Sequence, residues 1–171
     1  MPTDINLHRD LHRQSPHQRG LILMPDEGER LNLGDALLSF KAQSDDTFGA
    51  WTLFEYAMPA LFAGPAPHWH KRTTEALFVL EGDIHVHLDG RDIHLPVGGF
   101  ALATPGLVHT FSNPTTTLAR VLILASPGGV ERYFDEVAAL LSREAHWPPR
   151  DMSAYEKLAL KHDTYPPGEM N

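Results

Sequence analysis

The chain has 171 residues, 42% hydrophobic and 21% charged, which suits one globular domain with a sizeable core. A formal charge of −8 without a lysine/arginine cluster argues against a nucleic-acid partner, and no apolar run approaches the roughly 20 residues of a membrane-spanning helix. Cysteine is absent, so disulfides, thiol catalysis and thiolate metal sites are excluded. The strong metal ligands left are carboxylates and 11 histidines, a donor set suited to a divalent zinc, iron, manganese, nickel, cobalt or copper ion.

Residues 1–20 are polar with few apolar anchors and read as an N-terminal arm. The opening "MPTDINLHRD" lacks the apolar stretch of a secretory signal, so a cytoplasmic location is expected. His8 and His12 could share one helix face, and a solvated or partner-packed segment is the plainer reading. From 21 to 126 the texture changes to short apolar runs broken by glycine, proline and aspartate. Strands are predicted at 21–24, 30–33, 36–42, 50–58, 67–70, 75–81, 83–89, 91–95, 99–104, 108–112 and 119–126, with turn signals such as "EGD", "LDGRD", "PVGG" and "TPGL" between them. Many short strands with hairpin-sized gaps define an all-β antiparallel sandwich or barrel.

In "DIHVHLD" strict alternation puts Ile84, Val86 and Leu88 on one face and His85 and His87 on the outer one. His94 has no partner at ligand spacing and is read as structural or surface. After Pro127 the period becomes helical. Val130, Phe134, Val137 and Leu141 recur at helix spacing with acidic residues early and Arg143 late. "SAYEKLALK", 153–161, is a second short helix whose Leu158 and Ala159 are expected to cover one end of the barrel. The region 127–171 is thus a helical extension, ending in a tail expected to fray.

The segment most suggestive of chemistry is "PHWHKRTTEALFVLEG", 67–82. On a strand His68 and His70 project from the same face, about 6 to 7 Å apart, close enough to converge on one ion. Glu75 follows at an odd offset that a continuous strand could not use. A bend at "KRTT" would instead let Glu75 open the neighbouring strand, facing both histidines. On that strand Leu77 and Val79 share Glu75's face while Ala76, Phe78 and Leu80 form an apolar second face, as in a strand buried between layers. A carboxylate opening such a strand must be paired, ligated or protonated. In "GGFALATPGLVHTFSN", 98–113, His109 and Phe111 point the same way. If closure lays that strand beside the first segment, His109 is a third imidazole ligand.

These two segments resemble the two motifs of the cupin superfamily. His68, His70, Glu75 and Gly82 match the first motif throughout, and Gly98, Gly106, His109 and Asn113 fall at the offsets of the second. Thr104 replaces a usual proline and Gly99 a common aspartate, both at turn positions. "PGGVERYFDEVAALL" and "FGAWTLFEYAM" are similar to single-domain cupins of the quercetin 2,3-dioxygenase type. The resemblance implies a jelly-roll β-barrel with short C-terminal helices, one divalent metal ion held by His68, His70, Glu75 and His109, and Glu75 as ligand and general base.

In those enzymes the corresponding glutamate deprotonates a flavonol, which then reacts with dioxygen and loses carbon monoxide on ring cleavage. The expected partners are therefore a small-molecule substrate and dioxygen. Metal-dependent isomerase, epimerase or lyase chemistry and non-catalytic small-molecule binding are the alternatives, since cupins host many chemistries. Apolar runs around the site favour an apolar or aromatic substrate. Phe111 and Leu77, sharing faces with His109 and Glu75, are candidate substrate contacts, as are Tyr56 and Phe54, whose parity the sequence leaves open. By analogy with other cupins a homodimer is expected.

Overall fold

A computed structural model describes residues 20–143 and 152–168. The predicted arm, with His8 and His12, lies outside the described residues apart from Gly20. In chain order the elements are β1 (Glu29–Leu33), β2 (Ala36–Ala42), β3 (Thr52–Met58), β4 (Trp69–His70), β5 (Thr74–Glu81), β6 (Ile84–Leu88), β7 (Arg91–Leu95), β8 (Phe100–Ala103), β9 (His109–Ser112), β10 (Ala119–Ser126), α1 (Val130–Leu141), α2 (Ser153–Lys161) and β11 (Thr164–Tyr165). One sheet runs β1-β2-β3-β10-β5-β8, a second β7-β6-β9, and a third is the short pair β11-β4. All registered pairs are antiparallel. This is the all-β jelly roll, with two short helices among the described residues.

Period-two patterning builds the core. β2, β3 and β10 alternate buried and half-buried positions without interruption. Leu38, Phe54, Tyr56, Met58, Val121 and Ile123 therefore face inward, with Val121 opposite Tyr56 and Ile123 opposite Phe54 in the ladder. The second sheet contributes Ile84, Val86 and Phe111 to the same cluster. Each such side chain contributes about 1.5–3 kcal/mol of burial. The motif glycine Gly82 turns at φ +71 from β5 toward β6, and a Cβ there would lie 2.8 Å from the Leu118 carbonyl oxygen. No L side chain fits that turn without displacing backbone.

Helix α1 is fixed to this core in two ways. Its Phe134 ring stands 5.3 Å from Phe54 and 6.4 Å from Phe40, between centroids. Its Glu131 carboxylate, buried in the first turn, accepts from the Ser44 backbone N–H (3.1 Å), from the Thr52 hydroxyl (2.6 Å) and from the Ser44 hydroxyl. Thr52 Oγ1 in turn accepts from Gly129 N–H at 3.1 Å. Helix α2 docks on α1 through Tyr155 and Tyr133, hydroxyls 3.0 Å apart, and through Lys161 and His162 against Glu136.

Some expectations are corrected. Residues 21–24 form no strand; Ile22 is 88% exposed, so apolar content alone did not secure a pairing partner. The predicted strand at 67–70 shrinks to β4 plus an isolated bridge at His68. The second face of β5 is not covered by another layer: Phe78 and Leu80 are exposed beside Phe100 and Leu102 of the edge strand β8. The tail is pinned rather than free where β11 pairs with β4, Thr164 opposite His70 and Tyr165 opposite Trp69.

Candidate metal centre

Four ligand-type residues reach one point from separate elements. His68 and His109 face each other in a two-way bridge, His68 N–H to His109 O at 3.1 Å and His109 N–H to His68 O at 2.8 Å. His70 ends β4, with its carbonyl accepting from Gly106 N–H at 2.8 Å. Glu75 comes from β5, opposite Ala103 of β8 and Ala125 of β10. The bend at 71–74 thus carries Glu75 into the large sheet. It faces the histidines from there and not from a ladder neighbour of β4. One ligand atom from each of His68, His70, Glu75 and His109 lies within 4.8 Å of every other. The cluster could hold a metal ion.

The histidine tautomers are fixed by backbone carbonyls. Nδ1 of His68 contacts Ala66 O at 2.8 Å, Nδ1 of His70 contacts Asp163 O at 2.8 Å, and Nδ1 of His109 contacts Leu107 O at 3.0 Å. A carbonyl can only accept, so each Nδ1 carries a proton, and in the neutral ring Nε2 is the nitrogen that presents a lone pair. Nε2 of His70 and of His109 are buried without a hydrogen-bond partner. Glu75 Oε2 stands 3.4 and 3.7 Å from them. These contacts are electrostatic and not hydrogen bonds. Buried polar atoms are rarely left so, and a cation would satisfy both nitrogens and the carboxylate together.

The electrostatics agree. Burial pushes the Glu75 carboxyl up, but contact with His109 and His70 outweighs it and holds the group well below the usual carboxylate range. Burial and the neighbouring His109 bring His68 down to about 4, leaving it neutral at pH 7. For His70 burial pulls down, while Glu75 and the Asp163 carbonyl together raise it above the ordinary value. The site's pull on that proton is the pull it would exert on a positive ion.

Asp163 was not signalled by the sequence. It follows α2 at φ +60 and is buried. Its carboxylate accepts from the backbone N–H groups of Lys71 (3.1 Å), Arg72 (3.0 Å) and Thr73 (3.0 Å) and from the Thr73 hydroxyl (2.9 Å). Burial alone would raise its carboxyl, but these donors bring it below the usual value. The "KRTT" bend is thereby held by a residue about 90 positions away, which no local pattern could reveal.

Beside the ligands lies a small cavity of about 20 Å³, with Leu77, Val86, Leu88, Ala101, Ala103 and Phe111 among its walls. Leu77 and Phe111 line it directly. Tyr56 stands behind Phe111, rings edge-on at 5.5 Å, and burial above all pushes its hydroxyl far up. Phe54 packs on Phe40 and Phe134 and is not among the residues lining the cavity. His85, His87 and His94 lie on the outer β6–β7 face; His87 Nδ1 contacts Asp92 at 2.8 Å and the His85 and His94 rings are 5.9 Å apart.

Comparison with known proteins places this architecture. Residues 58–125 match the family model "Cupin domain", a stretch that contains His68, His70, Glu75 and His109. Among curated proteins, quercetin 2,3-dioxygenase of Bacillus subtilis (strain 168) is 30% identical over 117 residues, covering 66% of this chain but only 33% of that enzyme's length. Among solved structures, KdgF from Halomonas sp. superposes with a TM-score of 0.58 at 18% identity over 67% of this chain and 99% of its own. An RmlC-like cupin from Shewanella frigidimarina NCIMB 400 gives 0.57 at 18% identity over 67% and 97%. At such identities the superpositions speak for the fold alone.

Proposed function

We propose that this cupin is a metal-dependent dioxygenase of quercetinase type, acting on a flavonol or a similar enolic small molecule. The carrying observation is the convergence of three imidazole nitrogens and one ionised, half-buried carboxylate on a single point beside an apolar cavity. The similarity to quercetin 2,3-dioxygenase supports the reading. A divalent first-row ion bound there would supply Lewis acidity toward the substrate oxygen and a redox centre for dioxygen.

The chain's own residues do the remaining work. His68, His70 and His109 hold neutral donors in fixed tautomers. Glu75 has one carboxylate to share between ligation and proton transfer, and it accepts the proton of the substrate's enolic hydroxyl. Leu77 and Phe111 keep the cavity apolar. The substrate's enolic oxygen would enter beside Glu75 and His109, with Tyr56 packed behind Phe111. Such a protein works in the cytoplasm. A second copy covers the apolar face formed by Phe78, Leu80, Phe100 and Leu102, giving a homodimer.

Oxygen uptake by the metal-loaded chain with flavonols and other enols tests this. The expected result is uptake that vanishes in Glu75→Gln while that variant still binds metal. Turnover that proceeds without oxygen would replace the proposal with isomerase, epimerase or lyase chemistry on the same site. Metal binding without turnover of any enol would leave a non-catalytic binding protein.

A further inference from the structure

We propose that the segment from α2 to β11 is part of the metal centre, and that Asp163 is a positioning residue through which docking of this segment and binding of the ion strengthen each other. The inference rests on the metal reading above. It lies outside the region that matches the cupin family model.

The three histidines differ in what holds them. His68 and His109 send their Nδ1 protons to carbonyls two residues back along the chain, so local backbone sets their rings. His70 depends on Asp163 O, which is about 90 residues away and in a different element. β4 is only two residues long, and its registered ladder partner is β11. The ring of one ligand is therefore oriented by a strap that belongs to neither of the two larger sheets.

Asp163 makes both of its contacts because of its backbone. At φ +60 it occupies the left-handed region that aspartate tolerates better than most residues. In that conformation its carbonyl meets His70 while its carboxylate caps the three N–H groups of the bend leading to Glu75. One residue thus touches the supports of two ligands. On the opposite face of β4 the Trp69 indole N–H donates to Pro166 O at 3.1 Å and the Trp69 ring stacks on Tyr165 at 4.8 Å. The strap grips β4 from both sides. Partners of metal-bound histidines at this remove govern affinity ten- to a hundredfold, roughly, when removed, and binding linkage is reciprocal.

The test uses the full-length apoprotein titrated with Co²⁺, reading affinity and the visible cobalt absorption, with amide hydrogen exchange at Thr164 and Tyr165 measured with and without the ion. Asp163→Ala keeps the carbonyl that meets His70 but removes the carboxylate cap and disfavours φ +60, and it is expected to bind several-fold more weakly with an altered cobalt spectrum. Asp163→Asn, which keeps one acceptor oxygen and tolerates the same φ, should recover part of the loss. In the wild type the ion should slow exchange at Thr164 and Tyr165, and in Asp163→Ala it should do so less. Should Asp163→Ala fold poorly, Tyr165→Ala loosens the strap without touching the carboxylate cap, and a several-fold loss of affinity is expected there too. Equal affinity, spectrum and exchange in the wild type and the folded variants would overturn the coupling while leaving the metal site intact. A wild type that binds no cobalt would overturn the metal reading, and this inference with it.

Discussion

Replacing Glu131 by glutamine tests how the helical extension is held to the barrel. Three donors converge on this buried carboxylate: the Ser44 N–H, the Ser44 hydroxyl and the Thr52 hydroxyl. Hydrogen bonds to a charged acceptor contribute about 1.5–3 kcal/mol against roughly 0.5–1.5 for neutral ones. Glutamine offers one oxygen and turns an N–H₂ toward the remaining donors. The expected cost is about 2 kcal/mol, and about 4 kcal/mol for Glu131→Ala, which strands the donors altogether. At roughly 2–4 °C per kcal/mol for a chain this size, Glu131→Gln should melt about 4–8 °C lower.

The pH dependence follows from the sign of the shift. Burial raises the Glu131 carboxyl, but Ser44 and Thr52 bring it below its ordinary 4.5. A group whose folded value is depressed stabilises fully above its unfolded value and loses that contribution as pH falls through the folded one. The difference between wild type and Glu131→Gln should therefore be complete at pH 7 and shrink below about pH 4.5, as followed by urea denaturation across pH. A glutamine variant within about 0.5 kcal/mol of wild type at pH 7, the range of an ordinary surface change, would refute the argument, as would a penalty independent of pH.

Metal binding should stabilise the folded chain directly. At a hundredfold excess over the dissociation constant the gain is about 2.7 kcal/mol, read as a melting temperature roughly 5–10 °C higher than in chelator, and His109→Ala should abolish most of that difference. The homodimer is checked by light scattering on Phe100→Lys, a position 58% exposed at the sheet edge. The expected result is a folded monomer where the wild type is a dimer; an unchanged assembly would rule out this face.

The barrel was legible because its strands announce themselves locally. β2 and β10 coincide with their predicted bounds, since alternation and flanking turns suffice where one face is buried. The four ligands were legible for a related reason: the odd offset of Glu75 from His70 has no use on one strand and demands a bend. What supports them was hidden. Asp163 lies in "KHDTYPPG", where nothing distinguishes it from a solvated loop aspartate, and its importance arises from contacts about 90 residues distant. Glu131 was legible only as one of the acidic residues early in the helix, and its burial against Ser44 and Thr52 was not. Apolar content misled at 21–24 and on the outer face of β5, because hydrophobicity states what a residue prefers and not whether a partner is there.

The ligands come from both main sheets. Glu75 belongs to the six-stranded sheet, His109 to the three-stranded one, and His68 and His70 to the connection between β3 and β5. An ion held by all of them is a cross-link in a chain that has no cysteine with which to make one. His68 and His109 are about 40 residues apart, and tying a loop of that size withdraws roughly 4 kcal/mol of freedom from the unfolded chain. The two sheets could not part until a ligand let go, so loss of the ion and opening of the barrel would share one slow step.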